Sequence, residues 1–214
     1  MRVEFAFITI VLVPTLLGTG AAGINMILTL QTIQLARDAG HMYARGLDFS
    51  QPGNKTILGN LGSSLGLSTT PGSGSAVVIL SSLTYVDNAA CKAAGAVDAF
   101  WNPRGCTNLG KWVFTQRLKF GNPSVRASNI GSPVTSGLQG VTVNATTGKI
   151  SLQDYVTKSG AVATFNAINP YSNVEGKVSG LPSGQALFVA EAGAKAFTMP
   201  PFMGSKATYS YGLF

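Results

Sequence analysis

The sequence predicts an α+β protein with a long N-terminal α-helix, a Gly/Ser-rich arm and an antiparallel β-rich globular domain. Three observations lead to this prediction. No charged residue occurs from Phe5 to Ala36. Residues 50–75 consist mainly of Gly, Ser, Pro, Asn and Thr. From residue 76 the apolar pattern changes to a period of two among β-forming residues. The expected divisions are 1–48 for the helix, 49–75 for a linker or extended arm, and 76–214 for the β-rich domain.

The composition argues against a disordered chain and against a typical cytosolic enzyme. Only 11% of the 214 residues are charged and 45% are hydrophobic, whereas disordered segments are rich in charge and poor in apolar residues. The eight acidic residues and the single histidine, His41, leave few groups for catalysis or for a His-rich metal site. The net charge of +7 is spread thinly without a Lys/Arg run, so we expect no nucleic-acid partner.

The N-terminal apolar run predicts a helix that crosses a bilayer and then continues beyond it. A bilayer core needs about 20 apolar residues of helix, and this uncharged run has 32 residues. It is too long for the apolar part of a cleaved secretory signal peptide, which has about 7–15 residues. We expect the helix to leave the bilayer near residue 25 and to reach about Leu47 as an amphipathic rod. Its predicted apolar stripe comprises Ile24, Leu28, Leu35, Ala39 and Met42.

Two residues within or beside the run need an explanation. Pro14 removes a helix hydrogen bond, and in water it could unwind the helix locally. Glu4 lies at the edge of the run, ahead of Phe5 and Phe7. A carboxylate at a membrane edge is costly unless it has a partner. Either Glu4 pairs with a group on another chain, or it stays in the headgroup region, stabilised by the positive end of the helix dipole.

The segment VEFAFITIVLVPTLLG resembles the N-terminal motif of TadE-like pilins, a tight-adherence branch of the type IV pilin superfamily. Those proteins have a Glu-Phe pair, an apolar run and then a proline, which match Glu4, Phe5 and Pro14. The resemblance covers residues 3–48, and weaker similarity extends to 111–122 and 202–214.

The resemblance implies a structural subunit that polymerises into an extracellular pilus on the bacterial cell surface. In that family a prepilin peptidase removes a short leader, and Met1–Arg2 is too short to be one. The assembly machinery then moves the helix from the inner membrane into a bundle of identical helices. By this resemblance Glu4 pairs with the free amine of a neighbouring subunit. The expected assembly residues are Glu4, Phe5, Phe7, Pro14 and Gly18.

The chain after residue 76 predicts six or seven β-segments that form an antiparallel sheet or sandwich. The expected segments are 76–87, 110–122, a hairpin over 140–152 with its turn around Ala145–Gly148, 161–168, 185–193 and 206–214. A short helix is possible within 88–100. In the second segment one face is expected to hold Trp112, Phe114, Gln116, Leu118 and Phe120. In the last, Tyr209, Tyr211 and Leu213 are expected to share a face.

Two cysteines, Cys91 and Cys106, bracket one loop of the β-rich domain. An isolated pair at this spacing favours a disulfide, which would stabilise the fold by about 3 kcal/mol. Such a bond persists outside the reducing cytosol. Two free thiols are the alternative. A metal site is not expected because the sequence has no CxxC motif.

No motif identifies a reaction, so we predict that the chain is not an enzyme and has no catalytic residue, cofactor or metal. The acids of the β-rich domain are scattered, although two of them could still meet in space as a glycosidase pair. They are Asp87, Asp98, Asp154, Glu175 and Glu191. Two other classes of protein stay open. A minor tip pilin or adhesin would share every feature described above. A membrane-anchored extracellular enzyme or binding module would use residues 1–48 only as an anchor.

Overall fold

A computed structural model describes residues 2–164, 185–200, 204 and 206–214, with side chains from residue 9 onward. Within these residues the helices are α1 (Arg2–Ala44), α2 (Pro52–Leu61), α3 (Asn88–Ala93) and α4 (Leu152–Thr157), with short 3-10 helices at Ser63–Leu65 and Ser159–Ala161. The strands are β1 (Ala76–Tyr85), β2 (Trp112–Gly121), β3 (Ala186–Lys195) and β4 (Ala207–Leu213). The predicted α+β class, with its long N-terminal helix and antiparallel sheet, is confirmed.

The four strands form one antiparallel sheet in the order β2-β1-β3-β4. The central strand β1 has nine of its ten residues buried. Both faces of the sheet are covered, which explains why β1 contains the continuous apolar run AVVIL instead of an alternation with polar residues. The edge strand β4 places Tyr209, Tyr211 and Leu213 at alternate positions, as predicted.

The C-terminal half of α1 packs across one face of the sheet. Its buried side chains meet Val78, Leu80, Leu118, Phe120 and the alanines of β3 in one core cluster. The small residues allow a close approach: a Cβ added at Gly40 would collide with the ring of Phe214. The predicted stripe is wrong at one position. Ile24 is 44% exposed, and the neighbouring Asn25 contacts the domain instead.

The opposite face of the sheet is covered by the chain between β2 and α4 and by α3. Leu83, Val113, Phe114 and Val189 belong to this second core cluster. The β1–β2 register shifts between Ser82 and Leu83, which leaves Thr115 as the extra residue of a bulge. The bulge turns Phe114 away from the face that holds Leu118 and Phe120, so the prediction of one shared face is wrong there.

Residues 49–75 differ from the predicted linker or extended arm. Pro52 opens α2, a position where its missing N–H costs little. Leu58 and Leu65 are buried in the same cluster as α1, and a bridge between Leu67 and Gly74 folds the segment back on itself. The leucines recur at helical spacing within the Gly/Ser-rich stretch, so part of the segment belongs to the core.

Two of the predicted β-segments are shorter in the structure. The hairpin over 140–152 is reduced to a single bridge between Val143 and Ile150, since Lys149 pairs with Gln116 of β2. Over 161–164 the chain makes one bridge, from Val162 to Val113, and residues 165–168 lie outside the described residues. The short helix expected within 88–100 is present as α3.

Candidate functional site

The part of α1 that precedes the sheet forms an exposed apolar surface. We call residues 9–27 the apolar segment. Its large side chains that lie on the surface are Ile10, Val11, Leu12, Val13, Leu16, Leu17, Ile24, Met26 and Ile27. Each aliphatic side chain of this size gains about 1.5–3 kcal/mol when it is removed from water. The segment therefore needs an apolar environment that the chain itself does not provide.

At residues 10–13 the exposure surrounds the helix, whereas Ala21 further along is buried. Ile10–Val13 are four consecutive residues, each between 44% and 68% exposed, and successive residues of an α-helix point about 100° apart. A soluble amphipathic helix would instead have one polar face. The stretch Thr9–Ala44 contains a window long and apolar enough to cross a membrane. Either lipid or several other apolar helices would cover a surface of this kind, whereas a single groove would leave part of it in water.

The hydroxyls of Thr15 and Thr19 in the apolar segment are satisfied within the helix. Thr15 donates its hydroxyl to the carbonyl oxygen of Val11 at 2.7 Å, and Thr19 donates to that of Thr15 at 3.0 Å. Bonds of this kind allow Thr to enter apolar surroundings without an unpaired hydroxyl. α1 is continuous through Pro14, so the helix accommodates the proline without the local unwinding that we considered.

The predicted assembly residues lie along this same helix. Pro14 and Gly18 are four residues apart and share a face. A Cβ added at Gly18 would meet nothing within 4 Å, so packing within the described part of the chain does not require this glycine. Glu4, Phe5 and Phe7 are in the first turns of α1, and their side chains lie outside the described part of the chain.

The two cysteines form the predicted disulfide. Cys91 in α3 is bonded to Cys106, with their Cα atoms 5.7 Å apart. Asp87 caps α3 by accepting a hydrogen bond from the backbone N–H of Ala90 at 2.8 Å. The bond thereby joins a short, capped helix to the loop that leads into β2, and bonds of this type are typical of proteins outside the reducing cytosol.

A buried polar cluster around Glu191 was not predicted from the sequence. Tyr209 and Ser128 donate their hydroxyls to the two carboxylate oxygens, each at 2.6 Å, and the backbone N–H of Asn129 donates at 2.9 Å. The Arg117 guanidinium lies 3.9 Å away. The groups belong to β2, β3, β4 and the chain after β2. Only the fold brings them together, so no pattern in the sequence predicts the cluster.

Burial changes the ionisation of this cluster. It raises the pKa of the Tyr209 phenol well above its usual value, and the hydrogen bond to the Glu191 carboxylate raises it further. It also lowers the pKa of Arg117 to about 10. The carboxylate already receives three hydrogen bonds, so its chemical role is to hold the chain after β2 against the sheet.

A basic cleft lies at the outer edge of β2. It has a volume of about 370 Å³, and its lining includes Lys55, Lys119, Asn144 and Thr146 but no acid among the described residues. Partial burial, with Arg117 nearby, lowers the pKa of Lys119. Among the described residues, no three side chains of His, Cys, Asp or Glu lie together where they could hold a metal ion. The expected absence of catalysis, cofactor and metal stays a prediction.

No family model, curated protein or solved structure matches this chain. The resemblance to TadE-like pilins therefore depends on the N-terminal motif of the sequence itself.

Proposed function

We propose that this protein is a structural subunit that polymerises into an extracellular pilus of the type IV, tight-adherence kind. The observation that supports this most directly is the apolar segment, whose nine large aliphatic side chains lie on the surface. The sheet beside it is already covered on both faces by residues of its own chain. The subunit thus combines a self-sufficient domain with a helix that requires other molecules.

The physics of assembly follows from the exposed side chains. Before assembly the apolar segment lies in the inner membrane, and afterwards it lies among copies of itself, so its surface never enters water. Covering its nine large side chains is worth on the order of 10 kcal/mol. This free energy opposes dissociation of a subunit into water, so the filament resists depolymerisation.

Glu4 has a specific role in this proposal. A carboxylate inside a helix bundle is costly unless a cation pairs with it. The family resemblance supplies that partner, the N-terminal amine of a neighbouring subunit. Because the pair forms only at one axial offset between two helices, Glu4 would set the register of the filament. The other proposed partners are a prepilin peptidase and the pilus assembly machinery.

The experiment is a comparison of Glu4→Gln with Asp38→Asn in the producing bacterium. Glu4→Gln keeps the shape of the side chain and removes its charge, so we expect few or no filaments while the subunit stays at normal abundance in the membrane. Asp38 is an exposed acid further along the same helix, so its variant should assemble normally. The measurements are electron microscopy of shed fibres and immunoblots of the sheared and membrane fractions. Normal piliation by Glu4→Gln would remove the registering role.

The basic cleft is the observation that favours the second class of function, a membrane-anchored binding module. In that case the detergent-extracted chain would stay monomeric, and no fibre would contain it. A minor tip pilin or adhesin would instead occur in fibres at low abundance. Quantifying the chain in purified fibres separates all three functions.

A further inference from the structure

The β3–β4 connection is attached to α1 at Asn25. The Asn25 Nδ2 donates to the carbonyl oxygen of Phe197 at 3.1 Å, and its Oδ1 accepts from the backbone N–H of Phe197 at 2.7 Å. One side-chain amide thus satisfies both backbone groups of one residue, which fixes that residue beside the helix. From Phe5 to Asn25 the helix rises about 30 Å, the thickness of a bilayer core. A helix that spans the membrane therefore brings Phe197 within reach of its surface.

Cationic and aromatic side chains gather at this end of the sheet. Lys195 ends β3 and pairs with the first residue of β4, and the carbonyl oxygen of Lys206 accepts from Ala196 N–H at 2.8 Å. Both lysines are exposed, and Phe197 between them is 40% exposed. The Arg126 side chain lies beside Gly193, two residues before Lys195 on β3, and its guanidinium is over the ring of Tyr209 at 4.9 Å. We call Lys195, Lys206, Arg126 and Phe197 the basic end.

The exposed acids lie far from the basic end. Asp38 is 13 residues beyond Asn25 along α1, about 20 Å at the rise of an α-helix. Asp48 follows the end of that helix. Asp87 and Asp98, both half-buried, belong to the chain between the end of β1 and the start of β2, at the other end of the sheet from Ala76. Glu191 is close in sequence to Lys195, but it is buried and hydrogen-bonded. Among the described residues, the basic end therefore has positive charge without an exposed acid to compensate it.

We propose that, before assembly, the basic end docks on the anionic lipid headgroups of the membrane that holds α1. The proposal rests on the proposed function only in taking the apolar segment to span the membrane at that stage. Aromatic rings favour the interface between lipid and water, and a Lys or Arg near an anionic surface strengthens binding about fivefold. Docking would hold the domain against the membrane, and assembly would have to release it.

The test uses the full chain reconstituted in vesicles that contain brominated phosphatidylcholine, with or without phosphatidylglycerol. Phe197→Trp adds a fluorophore to the basic end and keeps the tether, because Asn25 binds only the backbone of residue 197. The chain has two native tryptophans. Trp112 pairs with Tyr85 at the other end of the sheet, and Trp101 lies in the loop before β2, so the unsubstituted chain gives the baseline to which both contribute. We expect the bromine to quench the added emission in anionic vesicles and much less in neutral ones.

Two double variants that remove the same charge test whether Lys195 and Lys206 bind the anionic lipid. In the Phe197→Trp chain, Lys195→Gln with Lys206→Gln should weaken docking about fivefold per lysine and lose most of the quenching. The control, Lys111→Gln with Lys149→Gln, removes the same charge from exposed lysines elsewhere, and it should keep the quenching.

The outcomes separate this inference from the proposed function. Added emission that is unquenched in anionic vesicles overturns the docking, and so does quenching that is equal in neutral vesicles and insensitive to the lysines. Failure of the chain to float with vesicles after a carbonate wash contradicts a membrane-spanning helix, and both proposals fall. Docked protein that never forms fibres in the producing bacterium contradicts only the pilus.

Discussion

Glu191 is only 1% exposed. This burial is tolerated because the carboxylate accepts hydrogen bonds and lies near a positively charged group. Moving an unpaired carboxylate out of water is strongly unfavourable. Two hydroxyls and one backbone N–H donate to it, and Arg117 supplies a nearby positive charge. Since two of the three donors come from the chain after β2, folding of that chain and burial of the carboxylate depend on each other.

We expect Tyr209→Phe to destabilise the chain by about 1–3 kcal/mol at neutral pH, because the Glu191 carboxylate loses a donor. The Tyr209 pKa is raised in the folded state. The stability that depends on its proton is therefore fully present below the unfolded pKa of about 10 and is lost as the pH rises above it. The variant should then lose less stability than the unsubstituted chain between neutral and strongly alkaline pH.

Urea unfolding of the detergent-solubilised chain at pH 8 and pH 11 measures both effects of Tyr209→Phe. The matched control is Tyr211→Phe, since Tyr211 lies on the same strand and is more exposed. Its variant should stay within about 0.5 kcal/mol of the unsubstituted chain at pH 8. An equal response of the two variants would mean that the Tyr209 hydrogen bond contributes nothing specific.

At the scale of elements, the sequence predicts those whose pattern is long and uninterrupted. The charge-free run predicts α1, and the β-forming segments 76–87, 110–122, 185–193 and 206–214 predict all four strands. The bulge at Thr115 could not be predicted, because the alternation of side chains continues through it. Nor could the tether from Asn25 to Phe197, because it joins residues 172 positions apart and an amide does not specify its partner.

Gly18 provides a prediction at the scale of α1. Glycine inside a helix is destabilising by about 0.5–1 kcal/mol relative to alanine, and a Cβ at residue 18 has open space in the subunit. We expect Gly18→Ala to leave the subunit as stable or more stable, and to reduce filament yield if neighbouring helices approach closely there, as glycine permits.

The control for Gly18→Ala is Gly53→Ala, because Gly53 is also helical with open space around it but lies in α2. It should leave filament yield unchanged. The measurements are thermal unfolding in detergent and the amount of chain in sheared fibres. Normal fibres from Gly18→Ala would exclude a close contact at this glycine.

At the scale of the whole molecule, burial divides the chain near Asn25. Beyond this residue, α1, the sheet and the disulfide-bonded loops provide two core clusters, one on each face of the sheet. Before it, most large side chains have no cover. The sequence predicted this division because charge disappears from the same stretch, but it did not predict that part of residues 49–75 would join the core.

Removal of residues 1–24 tests whether assembly and folding are separable. The remaining chain keeps Asn25 and the α1 side chains that cover the sheet, so we expect a folded monomer that is soluble without detergent. It should retain the Cys91–Cys106 bond, and it should form no fibres. Light scattering coupled to gel filtration gives the mass, circular dichroism gives the fold, and non-reducing mass spectrometry gives the disulfide.

A longer deletion, of residues 1–34, also removes Leu28 and Thr32 from the face against the sheet, so it should lower the thermal midpoint relative to the shorter one. Fibres from either truncated chain would place the assembly contacts in the domain and contradict the role of the apolar segment.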